Sequence, residues 1–138
     1  MSGQVGPSGH EEGLVKAFVA RPKQDRMIEL LRKPKRRRDV LTTLAHFKDL
    51  DPRFAMRAPE PHSSSSVLRL LRSRGAPAEC YVVSEDPDLD GRILPLAAAL
   101  DAVVGMGMGT LLSCIPGRLG YFEGETPSER YVLERGAA

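Results

Sequence analysis

Apolar residues recur at spacings of three and four through the first half of the chain, as they do on one face of an amphipathic helix. Pro22 and Pro34 interrupt this pattern at positions where the first turn of a new helix accepts proline. The pattern therefore predicts three helices, over residues 9–20, 22–33 and 35–47. A fourth apolar stripe follows a run of serines that can cap a helix and ends before Gly75, which predicts a fourth helix there.

After residue 79 the pattern changes to short, continuous apolar runs of the kind found in buried strands. These runs predict strands over residues 80–83, 110–115, 119–123 and 130–134. An apolar stretch over 95–104 is long enough for a helix between the first two strands. The predicted order is α-α-α-α-β-α-β-β-β, in which one strand–helix–strand crossover leads into an antiparallel meander. The sequence thus predicts an α+β fold with a helical N-terminal half packed on a small, four-stranded mixed β-sheet.

The chain has the length and composition of one globular domain. Its 138 residues are 41% hydrophobic and 28% charged, and a chain of this length can bury roughly two-thirds of its unfolded surface. We predict a disordered tail over 1–7 and a single α+β domain over 8–138. The domain is divided into a helical part, a linker rich in proline and serine, and a sheet-containing part, over residues 8–58, 59–66 and 67–138.

Three sequence features predict a cytoplasmic location. Cys80 and Cys114 lie far apart in apolar runs, which is typical of buried thiols in a reducing compartment. No apolar run has the length of a membrane span, so we expect no membrane partner. The first residues lack the positively charged start and apolar centre of a secretory signal.

Positive charge is concentrated in one segment. Between Arg21 and Arg38 the chain carries nine basic residues and two acids, a local charge of +7, whereas the charge of the whole chain is only +2. From Pro59 onward, seven basic residues and eleven acids give a charge of −4. This asymmetry predicts an anionic partner for the basic helices, over residues 22–47.

The arginine run at the start of the predicted third helix is the strongest candidate for that contact. Cations there oppose the helix dipole, but free backbone amides and guanidinium groups can converge on one anion. The predicted anion-binding or partner-binding residues are Arg26, Lys33, Lys35, Arg36, Arg37 and Arg38. The surface could bind an acidic protein or anionic ligand, bind nucleic acid, or be solvated without a dedicated partner. Aromatic residues make up only 5% of the chain, which weakens a single-strand interpretation based on stacking.

The acidic segment after the first predicted strand has the opening of a calcium-binding loop. Asp86, Asp88 and Asp90 alternate before Gly91, but Ala97 occupies the position where a bidentate glutamate is required. The segment therefore predicts a turn between strand and helix, with no metal bound. It also lies beyond the carboxyl end of a strand, where sites in sheet proteins collect. The predicted residues of an alternative site there are Ser84, Glu85, Asp88 and Asp90.

Two further segments give no catalytic or cofactor prediction. Gly105, Gly107 and Gly109 follow a helix and precede a strand, the reverse of a dinucleotide-binding loop, and so predict a helix stop with close backbone packing. Cys114 is too near Arg118 for a phosphate-binding loop, and the three histidines lack the spacing of metal ligands. We predict no cofactor and no metal ligand.

The resulting hypothesis is a small cytoplasmic binding or regulatory module that contacts an acidic protein partner or an anionic ligand through the basic helices over 22–47. A nucleic-acid-binding protein that uses the same basic surface is the first alternative. A small enzyme with its site at the acidic loop over 84–91 is the second. Catalysis is the weaker expectation, and no residue is assigned a catalytic role.

Overall fold

The computed structural model describes residues 7–60 and 63–136, which form five α-helices and a six-stranded sheet. The helices are α1 (Pro7–Phe18), α2 (Arg21–Leu31), α3 (Pro34–Leu41), α4 (Ser64–Ser73) and α5 (Leu96–Val103). The strands are β1 (Ala55–Arg57), β2 (Glu79–Ser84), β3 (Ile93–Pro95), β4 (Thr110–Ile115), β5 (Leu119–Glu123) and β6 (Arg130–Glu134). Short 3-10 helices lie at Leu44–His46, Pro52–Phe54 and Pro127–Glu129. The predicted tail lies outside the described residues except for Pro7, which begins α1, and residues 61–62 of the predicted linker also lie outside them.

Local signals define where two of the helices begin. Pro22 lies in the first turn of α2, where its missing amide costs no helical hydrogen bond. Ser63 caps α4, because its side chain accepts from the Ser66 amide at 3.1 Å while the Ser66 hydroxyl oxygen accepts from the Ser63 amide at 3.2 Å. None of the described helices has the length and hydropathy that crossing a bilayer requires.

The third helix is shorter than predicted. α3 ends at Leu41, whereas the apolar spacing continues to residue 47. The hydroxyl of Thr43 donates a hydrogen bond of 2.7 Å to the carbonyl of Val40. Threonine side chains that occupy helix carbonyls compete with the regular backbone ladder. The chain therefore continues as the short 3-10 helix Leu44–His46.

The prediction of a four-stranded mixed sheet is wrong, because the sheet has six strands and every neighbouring pair is antiparallel. The strand order is β1-β6-β5-β4-β2-β3. The four longer strands lie within one residue of their predicted positions, and the broad α+β class holds. The two missed strands, β1 and β3, have three residues each and form the two edges. Three residues are too few to show the period of a strand, and Pro95 argues against one.

The missed strand β3 also explains why the sheet is antiparallel. β2 and β3 form a hairpin, with Glu79 opposite Pro95 and Tyr81 opposite Ile93. The chain has therefore reversed before α5 begins. α5 carries it to the other side of β2, where β4 pairs antiparallel to β2. The predicted crossover between β2 and β4 is thus a hairpin followed by a helical connection.

Alternate side chains of the strands point into two separate cores, one on each face of the sheet. The core on one face joins α1, α2 and α3 to Tyr81, Leu111 and Phe122. The core on the other face joins α4 and α5 to Val82 and Leu112. Because both faces are covered, the central strands are continuous apolar runs instead of alternating ones. The basic helices α2 and α3 belong to the helical layer on the first face.

Candidate functional site

Arg37 on α3 is the centre of a largely buried network that joins the two sites predicted from the sequence. Its Nε and Nη2 atoms each donate a hydrogen bond of 2.9 Å to the Asp90 carboxylate. Its Nη1 atom donates to Glu11 on α1 at 2.9 Å and to the Leu31 carbonyl at 3.2 Å. The hydrogen bonds with Asp90 are the main reason that the pKa of Arg37 is raised above its ordinary value. None of the three charged side chains is more than 19% exposed.

The network continues to the sheet through Tyr81 and His10. The Tyr81 hydroxyl donates a hydrogen bond to Glu11, and its ring stacks on that of His10 with the centroids 5.4 Å apart. The Nδ1 atom of His10 lies 2.8 Å from the hydroxyl oxygen of Ser113. Burial lowers the pKa of His10, while burial and the bond to Glu11 raise the pKa of Tyr81. Both rings are therefore neutral at neutral pH.

The network connects elements of the fold and offers little for chemistry. Both oxygen atoms of Asp90 accept from Arg37, and one also accepts from the Ser84 backbone amide at 3.0 Å. Ser113 is fully buried, so its hydroxyl is closed to a substrate although His10 lies within hydrogen-bonding distance. A two-pronged arginine–carboxylate contact of this kind fixes position and orientation. Its effect here is to hold α1, α3 and the acidic loop together.

The residues of the predicted loop site support the turn itself. The hydroxyl oxygen of Ser84 lies 2.8 Å from that of Thr110, and the Glu85 carboxylate accepts from the Gly109 amide at 2.7 Å. Within the described residues, Asp88 is the one member of the predicted site whose side chain makes no hydrogen bond or ion pair, and it is exposed. The described part of the chain contains no group of three or more histidine, cysteine, aspartate or glutamate side chains arranged for a metal.

The predicted basic residues fall into three groups. Arg37 faces the network, and Arg38 donates a hydrogen bond of 2.9 Å to the Glu85 carbonyl. Arg36 and Lys33 make exposed ion pairs within their own helical segments. Among residues 7–60 and 63–136, the exposed cations of α2 and α3 that make no ion pair or side-chain hydrogen bond are Arg21, Lys23, Arg26 and Lys35. We call these four the unpaired cations, and two of them belong to the predicted site.

A surface groove between α2 and α3 lies beside two of the unpaired cations. Its volume is about 210 Å³. Its apolar floor consists of Met27, Leu30, Val40 and Phe47, and its polar rim consists of Lys23, Arg26, Asp39, Thr43 and Asp49. The sequence does not predict the groove, because the apolar residues have the spacing of core positions. The floor is accessible to solvent because Leu30 on α2 and Phe47, which follows the 3-10 helix after α3, are only partly buried.

A second polar cluster, also missed from the sequence, surrounds Glu123 at the end of β5. This side chain is fully buried, and its carboxylate accepts from the amides of Gly105 and Gly107 at 3.0 and 3.1 Å. It also accepts from the Tyr121 hydroxyl at 2.9 Å, and the Arg130 Nε atom lies 3.4 Å away. The cluster fixes the glycine segment against the sheet. No sequence signal marks it, since acidic residues are seldom fully buried.

Comparisons of the chain with protein-family models, with curated proteins and with solved structures find no match. The case for a function therefore depends on the geometry and charge of the described surfaces. Of those surfaces, the groove between α2 and α3 combines an apolar floor, in which Leu30 and Phe47 are partly exposed, with unpaired cations on its rim.

Proposed function

We propose that the protein is a binding module that recognises an acidic segment of a partner protein in the groove between α2 and α3. The observation that carries this proposal is an apolar floor bordered by unpaired cations. Lys23 and Arg26 lie on the α2 side of the rim, beside the floor residues Met27, Leu30, Val40 and Phe47. Exposed apolar surface with a polar rim is typical of a protein interaction site.

An amphipathic helix with acidic residues beside its apolar face would satisfy both parts of the groove. Its apolar side chains, spaced three and four apart, would cover the half-buried Leu30 and Phe47 and remove their remaining surface from water. Its carboxylates would pair with Lys23 and Arg26, which make no ion pair or side-chain hydrogen bond in the described chain, although the charge of Arg26 helps to lower the pKa of Glu29. The charge pairs would orient the segment and speed its association.

The two acidic residues on the rim do not remove the preference of the groove for an acidic segment. Asp39 is paired with Arg36, with the Nε and Oδ2 atoms 3.1 Å apart. Asp49 is the rim acid that makes no ion pair within the described residues. Two further unpaired cations, Arg21 and Lys35, add positive charge on the same two helices. The local field therefore favours an acidic segment over a basic one.

The apolar floor favours a protein segment over nucleic acid. A phosphate backbone is bound by cations and polar groups and makes no use of an apolar floor. Bases stack on exposed aromatic side chains, whereas the Phe47 ring packs against Phe122 with the centroids 6.1 Å apart. Nucleic acid is the alternative that the experiment must separate from an acidic protein.

Site-specific crosslinking tests the proposal. A photo-reactive residue at Thr43, which is exposed on the rim, is expected to capture an acidic protein from a lysate of the source cells. The same residue at Arg69 on α4, on the other face of the sheet, is the control and should not capture it. The crosslinked segment is then identified by mass spectrometry and prepared as a labelled peptide. We expect the double variant Lys23→Glu/Arg26→Glu to lose at least about tenfold in affinity for this peptide.

A matched variant separates the groove from net charge. Arg69→Glu/Arg72→Glu makes the same change of charge with two exposed arginines on α4 and should keep the affinity of the wild type. An equal loss of affinity for the peptide in both double variants would show that overall charge, and not the groove, determines binding. Crosslinking of nucleic acid at Thr43, or of the same proteins at Thr43 and Arg69, would contradict the proposal.

A further inference from the structure

The only two cysteines of the chain lie on neighbouring strands in the core beneath α4 and α5. Cys80 is on β2 and Cys114 is on β4, which is next to β2 in the sheet. Both side chains are almost completely buried, and both thiols are free. The sequence alone does not indicate that the two cysteines lie close together, because 34 positions separate them.

The register of the strands sets the two cysteines opposite each other. The regular antiparallel pairing of β2 with β4 ends with Tyr81 opposite Ser113, and its continuation by one residue on each strand would place Cys80 opposite Cys114. The two side chains are close enough for Cys80 to contribute to the raised pKa of Cys114. Tyr81 and Ser113 both contact His10 on the first face of the sheet. Because successive side chains of a strand alternate, the two cysteines share the opposite face. Their membership of a single core cluster agrees with this.

The backbone hydrogen bonds define which kind of opposite pair the cysteines form. The Val82 amide donates to the Arg92 carbonyl at 2.9 Å, and the Val82 carbonyl accepts from the Gly91 amide at 2.8 Å. Val82 therefore directs its backbone groups toward β3, and Cys80, two residues earlier, has the same orientation. Opposite residues at such positions have Cα atoms about 4.5 Å apart, which lies within the range of about 4.4–6.8 Å that disulfides span.

The pairing of β4 with β5 is interrupted at Cys114. The pairing of β4 with β5 is irregular between Ser113 and Ile115, so Cys114 has no regular partner on that side. A bulged residue of this kind is released from the ladder and lets the strand bend locally. A small shift of Cys114 toward Cys80 therefore breaks no regular pair with β5.

We propose that Cys80 and Cys114 are a redox pair that closes into an intramolecular disulfide when the chain folds in the presence of a low-molecular-weight disulfide such as oxidised glutathione. The disulfide covalently joins β2 to β4 in the centre of the sheet. The pair is thus a modification site whose state depends on the redox condition of the compartment in which the chain folds.

The reaction is a pair of thiol–disulfide exchanges. One cysteine thiolate attacks a sulfur of oxidised glutathione, which forms a mixed disulfide and releases one glutathione thiolate. The second cysteine thiolate then attacks the protein sulfur of the mixed disulfide and releases the second glutathione thiolate. The two protein thiols lose two protons and two electrons in total. The glutathione disulfide is reduced by those electrons to two thiols.

The thiol–disulfide exchange takes place while the chain folds, because both thiols are buried in the folded protein. Burial raises the pKa of the Cys80 thiol to about 12 and also raises the pKa of Cys114. Very little thiolate is therefore present in the folded protein at neutral pH, and a bulky disulfide cannot reach either sulfur. During folding both thiols are exposed, and the native register then brings them together.

Refolding in a redox buffer tests the proposal. The reduced, denatured wild type is diluted into a mixture of reduced and oxidised glutathione, and the folded monomer is isolated. Free thiols are counted after acid quenching and denaturation, and the intact mass is measured. We expect a folded monomer with no free thiol, no glutathione adduct and a mass lower by two hydrogen atoms. Its thermal midpoint should exceed that of the monomer refolded under reducing conditions by about 10 °C.

A control variant has the same cysteine spacing in sequence but not in space. His46→Cys/Cys114→Ser places a cysteine 34 positions from Cys80, as in the wild type, but at an exposed site where His46 contacts Glu125. The entropic cost of bringing the two cysteines together in the unfolded chain is therefore the same in the wild type and in the control variant. The ratio of intramolecular disulfide to dithiol should be at least about tenfold higher in the wild type.

Two outcomes would overturn the proposal. One is a folded wild-type monomer that keeps both thiols free in the redox buffer. The other is equal disulfide formation in the wild type and the control variant, since the native register would then have no influence. If the control variant does not fold, Cys114→Ser alone replaces it, and its folded monomer must show one free or glutathione-bound thiol.

Discussion

At the scale of single residues, two neighbouring arginines on α3 have opposite environments. Arg36 is exposed and makes an ion pair with Asp39 on its own helix. Arg37, one residue later, is turned inward and binds Glu11 and Asp90, which belong to other parts of the chain. A helix rotates by about 100° at each residue, so adjacent side chains face different surroundings. The two arginines are therefore a natural pair for comparison.

We predict that Arg37→Ala destabilises the protein and that Arg36→Ala does not. Removing Arg37 leaves the carboxylates of Glu11 and Asp90, each mostly buried, without their counter-charge. The free energy of unfolding should fall by about 3 kcal/mol. Removing Arg36 takes away only an exposed pair within one helix and should change it by less than about 0.5 kcal/mol. Urea unfolding of the two variants measures both values.

Arg37→Lys is the informative control for this comparison. Lysine keeps the positive charge but cannot form two parallel hydrogen bonds to Asp90. Its effect should lie between those of the wild type and Arg37→Ala. Equal, small effects for Arg36→Ala and Arg37→Ala would show that the Arg37 network contributes nothing to stability.

At the scale of elements, the sequence predicts those that are long enough to show a period. The four longer strands lie within one residue of their predicted positions, since each is a run of five or six residues of which most are buried. β1 and β3 form because β6 and β2 offer them unpaired backbone groups, and that depends on the assembled sheet. The end of α3 depends on the hydrogen bond that the Thr43 hydroxyl donates to the Val40 carbonyl, and the spacing of apolar residues gives no information about that bond.

The candidate site was only partly predictable for a related reason. Arg37 and Asp90 are 53 positions apart, and each lies in a run of residues of the same charge. Composition identifies both runs, but only the packing of α3 against the acidic loop selects which members pair. The groove between α2 and α3 arises in the same way, because Met27 and Val40 of its floor are core residues, and only the packing of the chain leaves Leu30 and Phe47 partly exposed beside them.

The glycine segment after α5 gives a prediction at this scale. A methyl group at Gly109 would collide with the backbone of Leu44 and Ala45, which agrees with the close packing predicted from the sequence. Neither neighbour is a flexible side-chain end, so the segment must move and the Gly109 amide must leave Glu85. We expect Gly109→Ala to lower the free energy of unfolding by about 2 kcal/mol or more.

Gly136→Ala is the matched control for the glycine variant. A methyl group at Gly136 would have no neighbour within 4 Å, and this residue follows β6 near the end of the described chain. Its effect on thermal unfolding should be close to zero. A thermal midpoint for Gly109→Ala equal to that of Gly136→Ala would show that the glycine segment accommodates a methyl group without loss of stability.

At the scale of the whole molecule, folding neutralises much of the charge asymmetry seen in the sequence. Arg37 and Arg38 are bound by groups of the acidic loop, and Arg32 pairs with Glu12 on α1. The basic segment has nine cations in sequence, but only the four unpaired cations make no ion pair or side-chain hydrogen bond in the described chain. The charge available to a partner is thus smaller than the count of basic residues implies.

This limit predicts the salt dependence of any binding to duplex DNA. Each phosphate contact contributes about −0.9 to the slope of log affinity against log salt concentration, so contacts made by the four unpaired cations alone give a slope of about −4. We expect no steeper slope in anisotropy titrations at several salt concentrations. Lys23→Glu/Arg26→Glu should make the slope shallower by about 2. A slope of about −6 or steeper would mean that the paired arginines leave their partners to bind phosphate.

The position of β1 has a consequence for how the molecule assembles. Within the described residues β1 pairs with β6 alone, and more than seventy residues lie between the two strands. Until β6 is in place, β1 has no neighbour, and the outer side of β5 exposes a row of unpaired backbone groups. Contacts this distant in sequence form late and slowly. A chain interrupted before Arg130 would therefore present β5 as an open template for strands of other molecules, so release of incomplete chains carries a risk of aggregation.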